Sequence, residues 1–154
     1  MNHISITVSN LPEAMRFLKP VLMFLGYFPE GAGDGTSGEL TIYLSPRTGN
    51  AFTVRAAKPE FVSAPHNRDA PGLHHLAFNA ETHAQVDALD ELVKELGGTI
   101  LDPPGEFPYA VGGYYAVYFS GPDGMKFEFV YMPELEHHHR RLGVYGKDLW
   151  VPET

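Results

Sequence analysis

The 154-residue chain contains no cysteine. Disulfides, thiolate metal sites and cysteine nucleophiles are therefore excluded, and any metal must be held by nitrogen and oxygen ligands from His, Asp or Glu. Long apolar runs are also missing: nothing in the chain approaches the roughly 20 consecutive apolar residues that cross a bilayer, so no membrane partner is expected. Positive charge is scarce, with 11 Lys and Arg against 19 Asp and Glu and a formal net charge of -8. The basic residues are scattered, whereas a nucleic-acid partner needs a basic patch to meet its phosphates; no nucleic-acid partner is expected. The N-terminus, Met1-Asn2-His3-Ile4-Ser5-Ile6, shows no basic segment, long apolar stretch or small-residue cleavage site, which predicts a cytoplasmic location. The length suits one domain with one core.

What is present reads as two similar runs of elements. His3 to Val8 alternates polar and β-branched apolar residues with period two, the pattern of a strand with one face in a core. Ser9 and Asn10 offer N-cap oxygens and Pro12 suits a first helical turn. Ala14, Phe17, Leu18, Val21, Leu22 and Leu25 then form an apolar stripe that ends at Gly26. Pro20 lacks the N–H for a helical bond and is expected to kink or shorten this helix. Glu39 to Leu44 and Ala51 to Ala56 read as strands separated by a turn-rich segment, and Lys58 to Gly72 as a connector. The order then begins again. Leu73 to Asn79 is strand-like, and Thr82 with Gln85 forms a capping box. Val86, Leu89, Leu92, Val93 and Leu96 follow at helical spacing before the stop at Gly97-Gly98. Thr99 to Leu101, Tyr114 to Phe119 and Lys126 to Tyr131 supply further strands, with Asp102-Pro103-Pro104-Gly105 and Gly121-Pro122-Asp123-Gly124 as breaks. The fold class is α+β: two βαβββ half-repeats, about 1–57 and 72–131, within a domain spanning 1–131, followed by a tail at 132–154.

Superposing the halves places His3 on His75 and Thr53 on Glu128. In a strand the faces alternate, so His3 projects with Ser5 and Thr7 while Ile4, Ile6 and Val8 face the core. His75 opposes Leu76 and Phe78, and Glu128 is flanked by Phe127 and Phe129. If the halves pack about a pseudo-twofold axis, the two imidazoles and the carboxylate converge on one cleft. Two His and one carboxylate with open positions suit a divalent ion such as Fe(II), Mn(II), Ni(II) or Zn(II). Singly, each reads as an ordinary strand-end polar residue; together, at repeat-related positions, they read as the metal ligands His3, His75 and Glu128.

These segments, with Tyr115 through Glu128 and its Pro122-Asp123-Gly124 turn, resemble the signature of the vicinal oxygen chelate superfamily, the glyoxalase, bleomycin-resistance and dioxygenase group. The resemblance covers roughly residues 2 to 131. It implies eight strands in a U-shaped sheet around one divalent metal held by His3, His75 and Glu128, and a small-molecule substrate chelated through adjacent oxygens. It also implies a homodimer, since single-chain members commonly dimerise. Thr53 stands where glyoxalase I-like members carry a fourth glutamate ligand. The three-ligand set is similar to that of extradiol dioxygenases, whose tyrosine ten residues before the Glu is matched by Tyr118. It is similar also to fosfomycin-modifying transferases, whose hydroxyl after the first His is matched by Ser5. Tyr118 and Ser5 are therefore the candidate catalytic residues, with dioxygenase-like, lyase-like and transferase-like chemistry all open. The alternative is a metal-free sequestering protein of the bleomycin-resistance type. Tyr109 and Tyr115 are further cleft candidates, His74 reads as structural, and His66 as a loop residue able to reach the cleft. His137-His138-His139-Arg140-Arg141 reads as a polar segment, and Tyr145, Leu149, Trp150 and Val151 as an apolar stretch that docks on something.

Overall fold

A computed structural model of the chain describes residues 1–30, 40–64 and 66–133. The tail expectations, from His137 to Val151, lie outside the described residues. The first half runs β1 (His3–Val8), α1 (Leu11–Phe24), β2 (Phe28–Pro29), β3 (Leu40–Leu44) and β4 (Ala51–Ala56). The second runs β5 (His75–Ala80), α2 (His83–Glu95), β6 (Thr99–Glu106), β7 (Tyr115–Ser120) and β8 (Lys126–Tyr131). Each half is a four-stranded sheet with the same topology, β1-β4-β3-β2 in one and β5-β8-β7-β6 in the other. In both, the first and last strands pair in parallel and the remaining neighbours are antiparallel. His3 sits opposite Ala51 and Ser5 opposite Thr53; His75 sits opposite Lys126 and Ala77 opposite Glu128. The repeat read from the sequence, His3 on His75 and Thr53 on Glu128, is thus the register of the sheets.

Local chemistry accounts for the helices. The Asn10 side chain accepts from the Glu13 N–H at the start of α1. Thr82 accepts from the Gln85 N–H at the start of α2, while Gln85 Oε1 accepts in return from the Glu81 N–H. Beyond α2 the chain turns at Gly97, whose φ of 73° favours glycine. Two expectations change. Helix α1 continues through Pro20, because the carbonyl that loses its partner, on Arg16 four residues earlier, lies at the solvent side of the helix. Strand β6 does not stop at Leu101 but runs on through Asp102-Pro103-Pro104-Gly105 to Glu106, with register shifts on either side of Asp102. It is the edge strand of its sheet, where a missing N–H leaves no ladder bond unmade.

Both sheets turn one face into a single core. Ile6, Val8, Tyr43, Phe52 and Val54 of the first sheet, and Leu76, Val117, Phe119, Phe127 and Phe129 of the second, pack with Leu18, Leu22, Leu89 and Val93 of the helices. Rings cross the boundary between halves: Phe52 and Tyr27 meet Phe78, Phe24 meets Phe129, and Phe17 meets Phe119. The halves are also tied where the Ser9 N–H donates to Asp123 Oδ2 at 2.9 Å, in the turn Pro122–Gly124. Gly121 beside that turn has no room for a side chain, since a Cβ would lie 2.3 Å from the Phe127 ring. The opposite faces carry His3, Ser5 and Thr53 on one sheet and His75, Tyr118, Lys126 and Glu128 on the other. Both therefore turn away from the shared core, and among the described residues His3 does not join His75 and Glu128 in one cluster.

Candidate functional site

Glu128 sits at the centre of β8, on the face away from Phe127 and Phe129, and is only 1% exposed. A carboxylate buried this deeply needs hydrogen-bond partners to replace its lost hydration. It has three. Tyr118, directly opposite on β7, donates its hydroxyl to Glu128 Oε1 at 3.0 Å. The Tyr114 hydroxyl donates to the same oxygen. His75 Nε2 lies 2.9 Å from Glu128 Oε2. The other ring nitrogen of His75, Nδ1, lies 2.7 Å from Nδ1 of His74, so His74 is a direct partner of a candidate ligand rather than a merely structural neighbour.

Burial holds both phenols in their neutral form. Desolvation first, and then the hydrogen bond to Glu128, push the Tyr114 pKa up to about 12. The same causes in the same order raise that of Tyr118. At neutral pH the two are therefore hydrogen-bond donors and not bases. Around them lies an aromatic wall: Phe107 stacks on Tyr109, with ring centres 5.6 Å apart, and meets Tyr118 edge-on at 5.2 Å, while Tyr109 meets Tyr114 edge-on at 5.3 Å.

The structure thus joins His75, Tyr118 and Glu128, three of the five residues expected at the site. His3 and Ser5 lie elsewhere, exposed on the outward face of β1, with His3 Nδ1 2.9 Å from Asn2 Oδ1. Among the described residues no three His, Asp or Glu side chains come together closely enough to hold a metal ion. Thr53 is nearly buried on the matching face of the first sheet, its hydroxyl donating to the Ile4 carbonyl. Tyr109 belongs to the site's wall, but Tyr115 does not: out of phase with Tyr114 and Tyr118, it donates to Asp87 of α2 at 2.7 Å and packs at a tilt against the His83 ring. His66 borders a separate cavity with Val8, Asp123 and Met125. Tyr114, read in the sequence as the first residue of its strand but not as a site residue, stands just before β7. Its even-numbered phase with Ala116 and Tyr118 was the available signal.

His75 Nε2 and Glu128 Oε2 are spaced as two adjacent ligands on one ion would be, since bonds of roughly 2.1 Å at right angles put donors about 3 Å apart. The pair therefore fits as part of a metal site and needs further donors to complete it.

The Glyoxalase/Bleomycin resistance protein/Dioxygenase superfamily pattern matches residues 1–129. The protein YqjT of Bacillus subtilis (strain 168) is 33% identical over 133 residues, covering 84% of this chain and 97% of that protein. A 2-epi-5-epi-valiolone epimerase of Actinomyces sp is 29% identical over 149 residues, covering 86% of this chain and 79% of the epimerase. Among solved structures, a glyoxalase/bleomycin resistance protein from Albidiferax ferrireducens T118 superposes with a TM-score of 0.66 at 27% identity, covering 85% of this chain and 98% of that one.

Proposed function

Because this chain belongs to the Glyoxalase/Bleomycin resistance protein/Dioxygenase superfamily, we propose that it is a metal-dependent enzyme acting on a small, oxygen-rich substrate at the Glu128 face of its second sheet. The observation that carries this reading is the convergence of His75, Tyr114 and Tyr118 on one buried carboxylate. His75 and Glu128 would hold a divalent ion, with His3 as the third ligand. Within one chain the His3 face turns away, so His3 of a second copy, its open sheet laid over the Glu128 face, completes the set. The open sheet suits that role: beside His3, Ser5 and Thr53 it exposes Phe28 and Ile42, an apolar strip that soluble monomers tend to cover. Assembly as a homodimer therefore belongs to the same proposal, as does a cytoplasmic setting.

When bound, the ion supplies Lewis-acid polarisation of a substrate oxygen. Tyr118, kept protonated by burial, would turn its one O–H from Glu128 to the charge developing on that oxygen once the ion takes up the carboxylate. Tyr114 holds the carboxylate in place from the same side, and Phe107 and Tyr109 exclude water from it. The epimerase among the relatives favours carbanion or enolate-type chemistry, in which a base takes a substrate C–H proton, the oxyanion left behind would be stabilised at this face, and no oxidant is consumed. The aromatic wall also suits the alternative of metal-free sequestration, so the test must separate the two.

Titration of the purified protein with Mn(II) and Zn(II) should show one site per chain, weakened on the order of a hundredfold in Glu128→Gln. Unchanged affinity in that variant would remove Glu128 as a ligand and leave the sequestering reading. Light scattering should give twice the 17.0 kDa chain mass; the single-chain mass would remove the shared site. Retention of turnover after replacing Fe(II) by Zn(II) separates Lewis-acid chemistry from ring cleavage, which needs a redox-active ion.

A further inference from the structure

Lys126 lies on the same face as Glu128, two residues before it on β8, and is paired in register with His75 on one side and Ser120 on the other. Its side chain is only 16% exposed. Its ammonium rests 4.1 Å from the centre of the Tyr118 ring, whose hydroxyl is bonded to Glu128. A lysine head carries three donors, and removing it from water needs compensating charge and hydrogen bonds. The compensation here is incomplete. The Asp102 carboxylate is 3.6 Å away, beyond hydrogen-bond range, and half exposed. Glu128 is already occupied by His75, Tyr114 and Tyr118. At the equivalent position of the first sheet stands Ala51, opposite His3, so the cation is particular to the site-bearing half. In a chain with a net charge of -8, Lys126 is the one Lys or Arg in strands β5 to β8, a mostly buried ammonium whose ion pair with Asp102 is long and half exposed and so open to exchange for an anion at this face.

We propose that Lys126 reads a carboxylate on the substrate, so that the site takes small carboxylates in preference to neutral ketones or diols; this rests on the site reading above. A single point cation held over the face of the Tyr118 ring matches one carboxylate. A phosphate would call for an arginine fork or a helix N-terminus, and the strands β5 to β8 contain no arginine.

Pyruvate and hydroxyacetone share a methyl ketone and differ in the carboxylate, so they are the probes. Their binding is measured calorimetrically to metal-free and Mn(II)-loaded protein. Lys126→Met should weaken pyruvate by about tenfold and leave hydroxyacetone within about twofold, while Lys126→Arg keeps most of the pyruvate affinity. Mn(II) should bind Lys126→Met as tightly as wild type or tighter, because a like charge has gone. Equal losses for both probes, no loss for either, or failure of pyruvate to bind in any state would overturn the proposal. Absence of Mn(II) binding in the wild type would sink the site reading separately, and the pyruvate difference in metal-free protein would then decide the role of Lys126. If Lys126→Met does not fold, pyruvate but not hydroxyacetone should shield Lys126 of the wild type from trinitrophenylation. Equal labelling with both probes refutes the assignment.

Discussion

In the first half β4 sets Thr53 beside Ser5; in the second β8 sets Glu128 beside Ala77, at the same place in the same strand order. The outward surfaces nevertheless differ. The second sheet gathers a buried carboxylate, two phenols, an imidazole and a lysine under an aromatic wall, whereas the first leaves His3, Ser5 and Thr7 exposed. Topology therefore supplies a framework of equivalent positions, and the side chains decide which of them becomes chemically active. A carboxylate at this position is tolerable only where neighbouring strands provide its donors, as β7 does through Tyr118 and β3, with Ile42 opposite Thr53, does not.

The largest expected difference comes from deleting the two equivalent side chains. Glu128→Ala should abolish tight divalent-metal binding and destabilise the fold by about 1–3 kcal/mol, because the Tyr114, Tyr118 and His75 donors lose their acceptor. Thr53→Ala should cost less than about 1 kcal/mol and leave metal affinity intact. Denaturant unfolding beside metal titration measures both, and equal costs at the two positions would erase the distinction between the halves.

Installing the missing carboxylate sharpens the contrast. Thr53→Glu places an acid at a nearly buried position without phenol donors, so the metal-free variant should lose roughly 1–3 kcal/mol and recover part of it on adding Mn(II). A variant as stable as wild type in chelator would mean that the first half already offers partners for an acid.

Alkaline pH should expose the second half's phenols. Tyr114, with its pKa raised from 10.0 to about 12 by burial and Glu128, stays neutral in the folded chain while the unfolded chain ionises. Its contribution to stability is thus complete below pH 10 and is lost as pH rises towards 12. The unfolding midpoint should fall more gently across that window in Tyr114→Phe than in wild type; parallel curves would dissociate Tyr114 from the effect. The smallest change is expected at Ser5→Ala on the open face, within about 0.5 kcal/mol by thermal unfolding, so any larger loss of turnover there would report a role in the completed cleft.

Much of this was legible along the chain where local periodicity and local chemistry coincide. Strands β1, β4 and β8 span the bounds read from the sequence, and α2 starts at its capping box. Strand β6 was cut short because two prolines read as a break, and only its edge position makes them harmless. The pair His75 and Glu128 could be found because the repeat marks equivalent positions. The separation of His3 from them could not, since alternation shows that a residue faces away from the core but not which other surface it meets. Tyr114 and Lys126 escaped notice because their value lies in partners on adjacent strands, which sequence spacing does not express.

The division of β1 into inward Ile4, Ile6 and Val8 and outward His3, Ser5 and Thr7 has an evolutionary consequence. Folding and recognition are written on alternate letters of the same strand, so substitutions at the outward set leave the packed interior untouched. A lineage built on this chain can exchange one ligand or substrate contact for another with little penalty in unfolding free energy. The second sheet is less free to drift, because there the reactive residues also hold each other in place.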